Sequence, residues 1–244
     1  MKTRRLLLDA GNTRLKWAVV ENDAWLEQGH LAYADLSRLT QVVRAGDACF
    51  IASVVKQDQA EQIGELLGAV GVIPHWLKTE AQFQDVKNNY ANPRQLGVDR
   101  WMGLIAARKR SQHPTLVVSA GTAMTVDALS AEGVFLGGLI VPGFALMQAS
   151  LREGTAGIAD GAGTWQAFPR CTADAVQSGL VAALCGAIQQ QHARLSEMAG
   201  VQAHCLMTGG GASVLLPHLS LTVEQVPALV LEGVELVSRE SEAG

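Results

Sequence analysis

The 244-residue chain has no excess of positive charge: 19 lysines and arginines stand against 23 aspartates and glutamates, a formal net charge of −4. A surface built for nucleic acid or an anionic membrane needs clustered basic residues, so neither partner is expected. The one basic cluster, Arg108-Lys109-Arg110, closes a helical-looking segment, where cations suit the negative end of the helix dipole. Long apolar runs are also missing. FLGGLIVPGFALM at 135–147 is too short to span a bilayer and carries Gly and Pro. The leucines that follow the basic start MKTRR are stopped by Asp9, far short of a signal-peptide core. Cysteine is scarce: four residues at 49, 171, 185 and 205 form no C-x-x-C, and three sit in apolar surroundings where a thiol behaves as a small hydrophobe. A cytoplasmic location is expected. There is no G-x-x-x-x-G-K-[ST] loop, no G-x-G-x-x-G opening a helix, no G-x-S-x-G elbow and no metal-ligand spacing among the six histidines.

Against these absences stands an ordinary globular composition, 48% hydrophobic and 17% charged. The patterning predicts strands ending at Asp9, at 14–20 and at 24–32, a helix near 36–45, a buried strand at 48–55 and a helix at 57–69. FQDVKNNYANPRQLG at 83–97 reads as a loop leading into a helix from Val98 to Pro114. Three strand-like runs at 115–141 follow, then a Pro-Gly turn at 142–143, a helix toward Leu151 and a loop over 153–171. A long helix spans 172–198, with Val176, Leu180, Leu184, Ile188 and Leu195 on one face. A strand at 203–208, the turn TGGGAS, a short helix and a strand near 219–226 come last. The repeated order points to an internal duplication offset by 110 residues: an α/β chain of two domains, 1–114 and 115–244.

Two turns sit at matching places in the two halves. LLLDAGNTRLKW at 6–17 and LVVSAGTAMTVD at 116–127 each run from an apolar strand through a small residue and a Gly turn into another strand. Such turns expose backbone N–H groups, and Asp9 at the strand end can hold a hydrated Mg²⁺ beside a phosphate. D-x-G-N-T by itself also fits a plain hairpin turn in which Asn and Asp satisfy backbone groups. Two such turns in a duplicated chain favour the grip on a polyphosphate.

LLLDAGNT at 6–13, NYANPRQLGVDRW at 89–101, SAGTAMTVD at 119–127, GGLIVPG at 137–143, CTADAVQSG at 171–179 and TGGGA at 208–212 occur in that order. On these motifs the chain resembles the type III pantothenate kinases, which include proteins called Bvg accessory factor. They belong to the acetate-kinase, sugar-kinase, Hsp70 and actin superfamily of duplicated ribonuclease-H-like domains with ATP bound between the halves. The resemblance implies ATP-dependent phosphorylation of pantothenate to 4'-phosphopantothenate, the first step toward coenzyme A, with Mg-ATP as cosubstrate and a homodimer.

It also implies roles for individual residues. Asp99 becomes the general base, accepting the hydroxyl proton in a transfer that otherwise needs positioning and charge neutralisation. Arg100 holds an anion or stabilises developing charge. Asp9, Ala10, Gly11, Asn12, Thr13, Arg14, Leu15 and Lys16 form the first phosphate loop, with Asp9 orienting Mg²⁺, and Thr122 contacts ATP from the second. Gly209, Gly210 and Gly211 let the backbone pass close to the nucleoside. Tyr90, Gly97, Val98, Asp99, Arg100 and Thr172 take pantothenate, although Thr172 at a helix start is also a natural N-cap. Lys16 also reads as a strand-surface charge. Trp101, beside Asp99 and Arg100, is placed to wall a substrate pocket.

One position departs from the family pattern. Ser119 stands where the family usually has the aspartate associated with a monovalent cation, K⁺ or NH₄⁺, and a neutral hydroxyl is a weaker cation ligand than a carboxylate. Asp127 on the following strand is a candidate to compensate. Two alternatives stay open: a kinase for another small alcohol, and a noncatalytic accessory factor of the same fold.

Overall fold

The computed structural model describes residues 4–155, 157–158 and 163–241. From the N-terminus, β1 (Arg4–Ala10), β2 (Arg14–Glu21) and β3 (Ala24–Ala32) form an antiparallel meander. A 3-10 segment (Tyr33–Gln41) leads to β4 (Ala48–Ser53), α1 (Gln57–Ala69) and β5 (Pro74–Trp76). The short strands β6 (Gln82–Phe83) and β7 (Val86–Asn88) precede α2 (Val98–Arg110). Then come β8 (Thr115–Ala120), β9 (Ala123–Leu129), β10 (Val134–Pro142), α3 (Phe144–Gly154) and α4 (Thr172–Ala199). The chain closes with β11 (His204–Thr208), α5 (Ala212–Leu215), β12 (Glu224–Gln225) and α6 (Leu229–Ser241).

The duplication is visible in the pairing. The first sheet runs β3-β2-β1-β4-β5, and the second contains the same order, β10-β9-β8-β11-β12. β1 is antiparallel to β2 and parallel to β4, as β8 is antiparallel to β9 and parallel to β11. Asp9 and Ser119 are each the last residue but one of the central strand, β1 or β8.

Strand alternation decides what each sheet buries. In the first, Leu6, Leu8 and Ala10 of β1 join Leu15, Trp17 and Val19 of β2 in a core closed by Ile63 and Leu67 of α1. Arg5, Leu7 and Asp9 therefore point to the other face. There α6 lies on β1, with Arg5 donating to Glu235 Oε1 at 3.2 Å and Ser238 Oγ at 3.1 Å. Gly233 brings α6 against α2: a Cβ there would stand 2.0 Å from the Met102 carbonyl oxygen. In the second sheet, Leu116, Val118 and Ala120 pack with Met124, Val126 and the α4 residues Val181, Leu184, Cys185 and Ile188.

Contacts gather the chain into two compact units, one of Met1–Gln84, Tyr90–Ala106 and Ala228–Gly244, the other of Asp85–Asn89 and Ala107–Pro227. The C-terminal helix thus packs with the N-terminal sheet, which a single cut after residue 114 does not describe. Helix α6 has no counterpart among the sequence expectations. The strand expected near 219–226 shrinks to Glu224–Gln225, because Leu219, Leu221 and Val223 turn onto the second core. The helix expected near 36–45 is the 3-10 segment, α2 stops at Arg110, and the expected loop at 83–97 holds β7 and a 3-10 turn at Pro93–Gln95. Residues 156 and 159–162 of the loop expected over 153–171 lie outside the described residues.

Candidate active site

The first unit builds its site around Asp9. The cross-strand partner of Asp9 is Lys16, whose Nζ lies 3.5 Å from Asp9 Oδ2. Burial pushes the Asp9 carboxyl up to about 6; Lys16 opposes the shift and the charge of Asp99 adds to it. Lys16 is therefore half-buried and paired with Asp9 rather than a free surface charge. The turn after β1 is closed by Gly11 N–H donating to the Arg14 carbonyl at 3.2 Å, and Ala10 O accepts from Val54 N at 3.1 Å. Asn12, Thr13 and Arg14 are exposed, whereas the side chains of Ala10 and Leu15 lie fully in the core, leaving only their backbone to a ligand. Tyr33, which no motif singled out, donates its hydroxyl to the Gly11 carbonyl at 2.8 Å. Burial, then the nearby Asp9 charge, pushes that phenol up to about 12, so it stays a donor.

Asp99 and Arg100 occupy the first turn of α2. Asp99 Oδ1 accepts from Arg100 N–H at 2.8 Å, a local bond at a helix start where donors are otherwise free. Burial raises the Asp99 carboxyl above the usual carboxylate range, against the lowering effects of that bond, the Arg100 guanidinium and Lys16. Gly97 makes room for it, since a Cβ at Gly97 would stand 2.6 Å from Asp99 Oδ1. The Arg100 side chain is buried, 3.4 Å from the Tyr90 hydroxyl and with its guanidinium carbon 5.9 Å from the ring centroid. Val98 is buried. Asp9, Lys16, Tyr90, Gly97, Asp99 and Arg100 thus all belong to the first unit. Trp101 walls a different hollow: it lines a cavity of about 550 Å³ with Phe50, His75, Trp76 and Met102, and neither Asp99 nor Arg100 is among its lining residues.

The second unit repeats the turn one residue shorter. Gly121 N–H donates to the Ala123 carbonyl at 3.1 Å, and Thr122 is exposed. Gly143, at the N-terminus of α3, donates its N–H to the Thr122 carbonyl at 2.8 Å. A Cβ there would lie 2.1 Å from Gly121 O, so the Pro-Gly turn must carry glycine. The TGGGA turn meets the same strand end: Gly211 N–H donates to Ala120 O at 2.9 Å. Gly209, at φ +96°, leaves no room for a Cβ against Ala120, and Gly210 is open to solvent. Two glycine-bearing turns therefore present backbone around one strand end. Ser119 is paired with Thr125 and Thr208. Asp127 is buried two positions along, paired with Val117 and Gly138. Thr172 is exposed as the first residue of α4, and the N-cap is Cys171, so Thr172 is not the cap. The glycine contacts at 143 and the Tyr33 bond are non-local, and nothing in their own neighbourhood announces them.

No group of three or more His, Cys, Asp or Glu among the described residues is arranged to hold a metal ion by itself. A buried carboxylate that carries a desolvation cost nevertheless suits a cation as its partner, and Asp9 has that character.

The comparisons agree on the family. The model of the type III pantothenate kinase family matches residues 5–194. A type III pantothenate kinase of Thiobacillus denitrificans is 62% identical over 235 residues, covering 96% of each chain. A conserved Baf family protein of Campylobacter jejuni superposes with a TM-score of 0.65 at 21% identity, covering 98% of this chain and 100% of its own. MreB5 of Spiroplasma citri bound to ADP superposes with a TM-score of 0.52 at 10% identity, covering 99% of each chain. These two likenesses show the fold, a duplicated actin-like ATPase architecture. With a matched family model and a relative of this identity, the chain belongs to the type III pantothenate kinase family.

Proposed function

We propose that this chain transfers the γ-phosphoryl group of Mg-ATP to the primary hydroxyl of pantothenate, with Asp99 as general base. The observation that carries the assignment of the base is the Asp99 carboxyl: buried, raised toward the working range of a proton acceptor, and held at the start of α2 by Arg100 N–H and the space at Gly97. The substrate hydroxyl oxygen forms a bond to phosphorus as the bond from phosphorus to the ADP oxygen breaks, and the hydroxyl proton passes to Asp99. Arg100, steadied by Tyr90, offers a fixed cation to the negative charge of the substrates. Lys16 and the N–H groups of Asn12 and Thr13 receive phosphate oxygens, the Gly11 N–H being taken by the Arg14 carbonyl. Asp9 is the residue that would hold Mg²⁺, which would supply neutralising charge to the phosphates when bound.

In the second unit, the turn at Gly121-Thr122 is assigned to phosphate, and the Gly209–Gly211 turn, backed onto Ala120, to the nucleoside. Thr172 is assigned to pantothenate. A monovalent cation contributes little in this reading, because Ser119 supplies no carboxylate and Asp127 sits two positions away. We further assign a homodimer, supported by exposed apolar side chains on the second unit, Ile140, Leu146 and Phe168. A cytoplasmic location fits the buried free thiols of Cys49, Cys185 and Cys205.

The test is ATP-dependent formation of phosphopantothenate, with Mg²⁺, in KCl, NH₄Cl or neither, and with other primary alcohols as competitors. Product from pantothenate alone, with rates within about twofold across the salts, is expected. Product from another alcohol in preference, or a strict need for K⁺, would contradict the corresponding assignment.

A further inference from the structure

The turn assigned to the ATP phosphates follows β1 directly and is mostly exposed, so its peptide groups need an anchor to hold one orientation. Tyr33 supplies one from the 3-10 segment after β3. Its ring packs against the first core, and its hydroxyl donates to the Gly11 carbonyl at 2.8 Å. The Gly11–Asn12 peptide is planar and trans, so its C=O and N–H point in opposite directions. Fixing the carbonyl on Tyr33 therefore fixes the Asn12 N–H on the opposite side of the turn. The N–H of Gly11 is tied separately, to the Arg14 carbonyl at 3.2 Å. Glycine at this position would otherwise let the peptide rotate at little cost. The second unit has the same device with a different donor, Gly143 N–H on the Thr122 carbonyl at 2.8 Å. In each unit a carbonyl of the turn is held from outside.

We infer that Tyr33 is a positioning residue for the ATP phosphates: by holding the Gly11 carbonyl, its hydroxyl aims the Asn12 N–H as a preset phosphate donor. It touches neither substrate and moves no proton. The inference rests on the assignment of this turn to ATP, and it adds a residue that lies outside every motif of the family resemblance. A donor set in place before the ligand arrives binds without the cost of ordering it.

Tyr33→Phe keeps the ring in the core and removes only the hydroxyl. The dissociation constant for Mg-ATP, measured by calorimetry without pantothenate, is expected to rise about fivefold or more, the worth of one hydrogen bond. KM for ATP rises with it, KM for pantothenate stays at the parental value, and the melting temperature falls by no more than the few degrees that the loss of one hydrogen bond costs. An unchanged Mg-ATP constant overturns the inference, and so does an equal weakening of pantothenate, which would mean a general loosening of the unit. Those outcomes all require a parent that binds Mg-ATP; a parent that binds none overturns the kinase reading and this role of Tyr33 with it.

Discussion

Lys16 Nζ stands 3.5 Å from Asp9 Oδ2, across the first hairpin from the carboxylate that we assign to Mg²⁺. The pair sets the protonation of the site. Burial pushes Asp9 up to about 6 and Lys16 pulls it back. An ionised Asp9 is the form that attracts a cation, so Mg-ATP affinity is expected to fall as pH drops through about 6. Lys16→Met removes the opposing charge and should move that acid limb to higher pH. A titration of Mg-ATP affinity against pH, for parent and variant, checks both. Identical acid limbs would contradict the coupling.

The same shift predicts a stability effect in the metal-free protein. The folded Asp9 has a carboxyl raised from 3.8 to about 6, so its charge disfavours folding. Below the unfolded value that penalty is absent; it grows as pH rises through the window and is complete above about 6. Asp9→Asn should therefore stabilise the apoprotein at pH 8, by an order of about 1–3 kcal/mol, and make no difference near pH 3. Thermal unfolding at the two pH values reads this directly. A variant less stable than the parent at pH 8 would show that Lys16 outweighs burial.

Gly97→Ala is expected to damage catalysis without damaging the fold. Its Cβ would meet Asp99 Oδ1 at 2.6 Å, so the carboxylate must move. A displacement of that size at a reacting group costs on the order of 10²-fold in rate. kcat should fall accordingly while the melting temperature changes by little, because the clash is with a side chain that can swing away. Parental kcat in Gly97→Ala would show that the Asp99 position is not critical.

Gly233→Ala should do the reverse. Here the obstacle is backbone, the Met102 carbonyl at 2.0 Å, and helices α2 and α6 must separate to admit a methyl group. Overpacking of this kind costs about 1–3 kcal/mol, which for a chain of this size lowers Tm by about 2–12 °C. Differential scanning calorimetry checks it. An unchanged Tm would mean that the two helices do not depend on this close approach.

What the sequence reveals follows from how local each signal is. The turns at Gly11 and Gly121 are legible because strand alternation, a small residue and a glycine lie within a dozen residues, twice. Leu180, Leu184, Ile188 and Leu195 declare α4 by their spacing, and they are buried. Helix α6 is hidden because Leu229, Val230 and Leu231 are consecutive and Gly233 weakens the propensity; its stability comes from packing on β1 and α2. Tyr33, and the hydrogen bond made by Gly143 though not its Pro-Gly turn, escape notice for a related reason. Their partners, Gly11 and Thr122, are 22 and 21 residues away, and no periodicity records such a pairing.

The central claim is that Asp99 accepts the proton of pantothenate as phosphorus is transferred. Phosphopantothenate formation from Mg-ATP should be measured for the parent and for Asp99→Asn, with Mg-ATP binding checked in both. Product from the parent, a fall in kcat of about 10²–10⁴-fold in the variant and retained Mg-ATP binding are the predicted result. An Asp99→Asn protein that forms product at the parental rate would contradict the account.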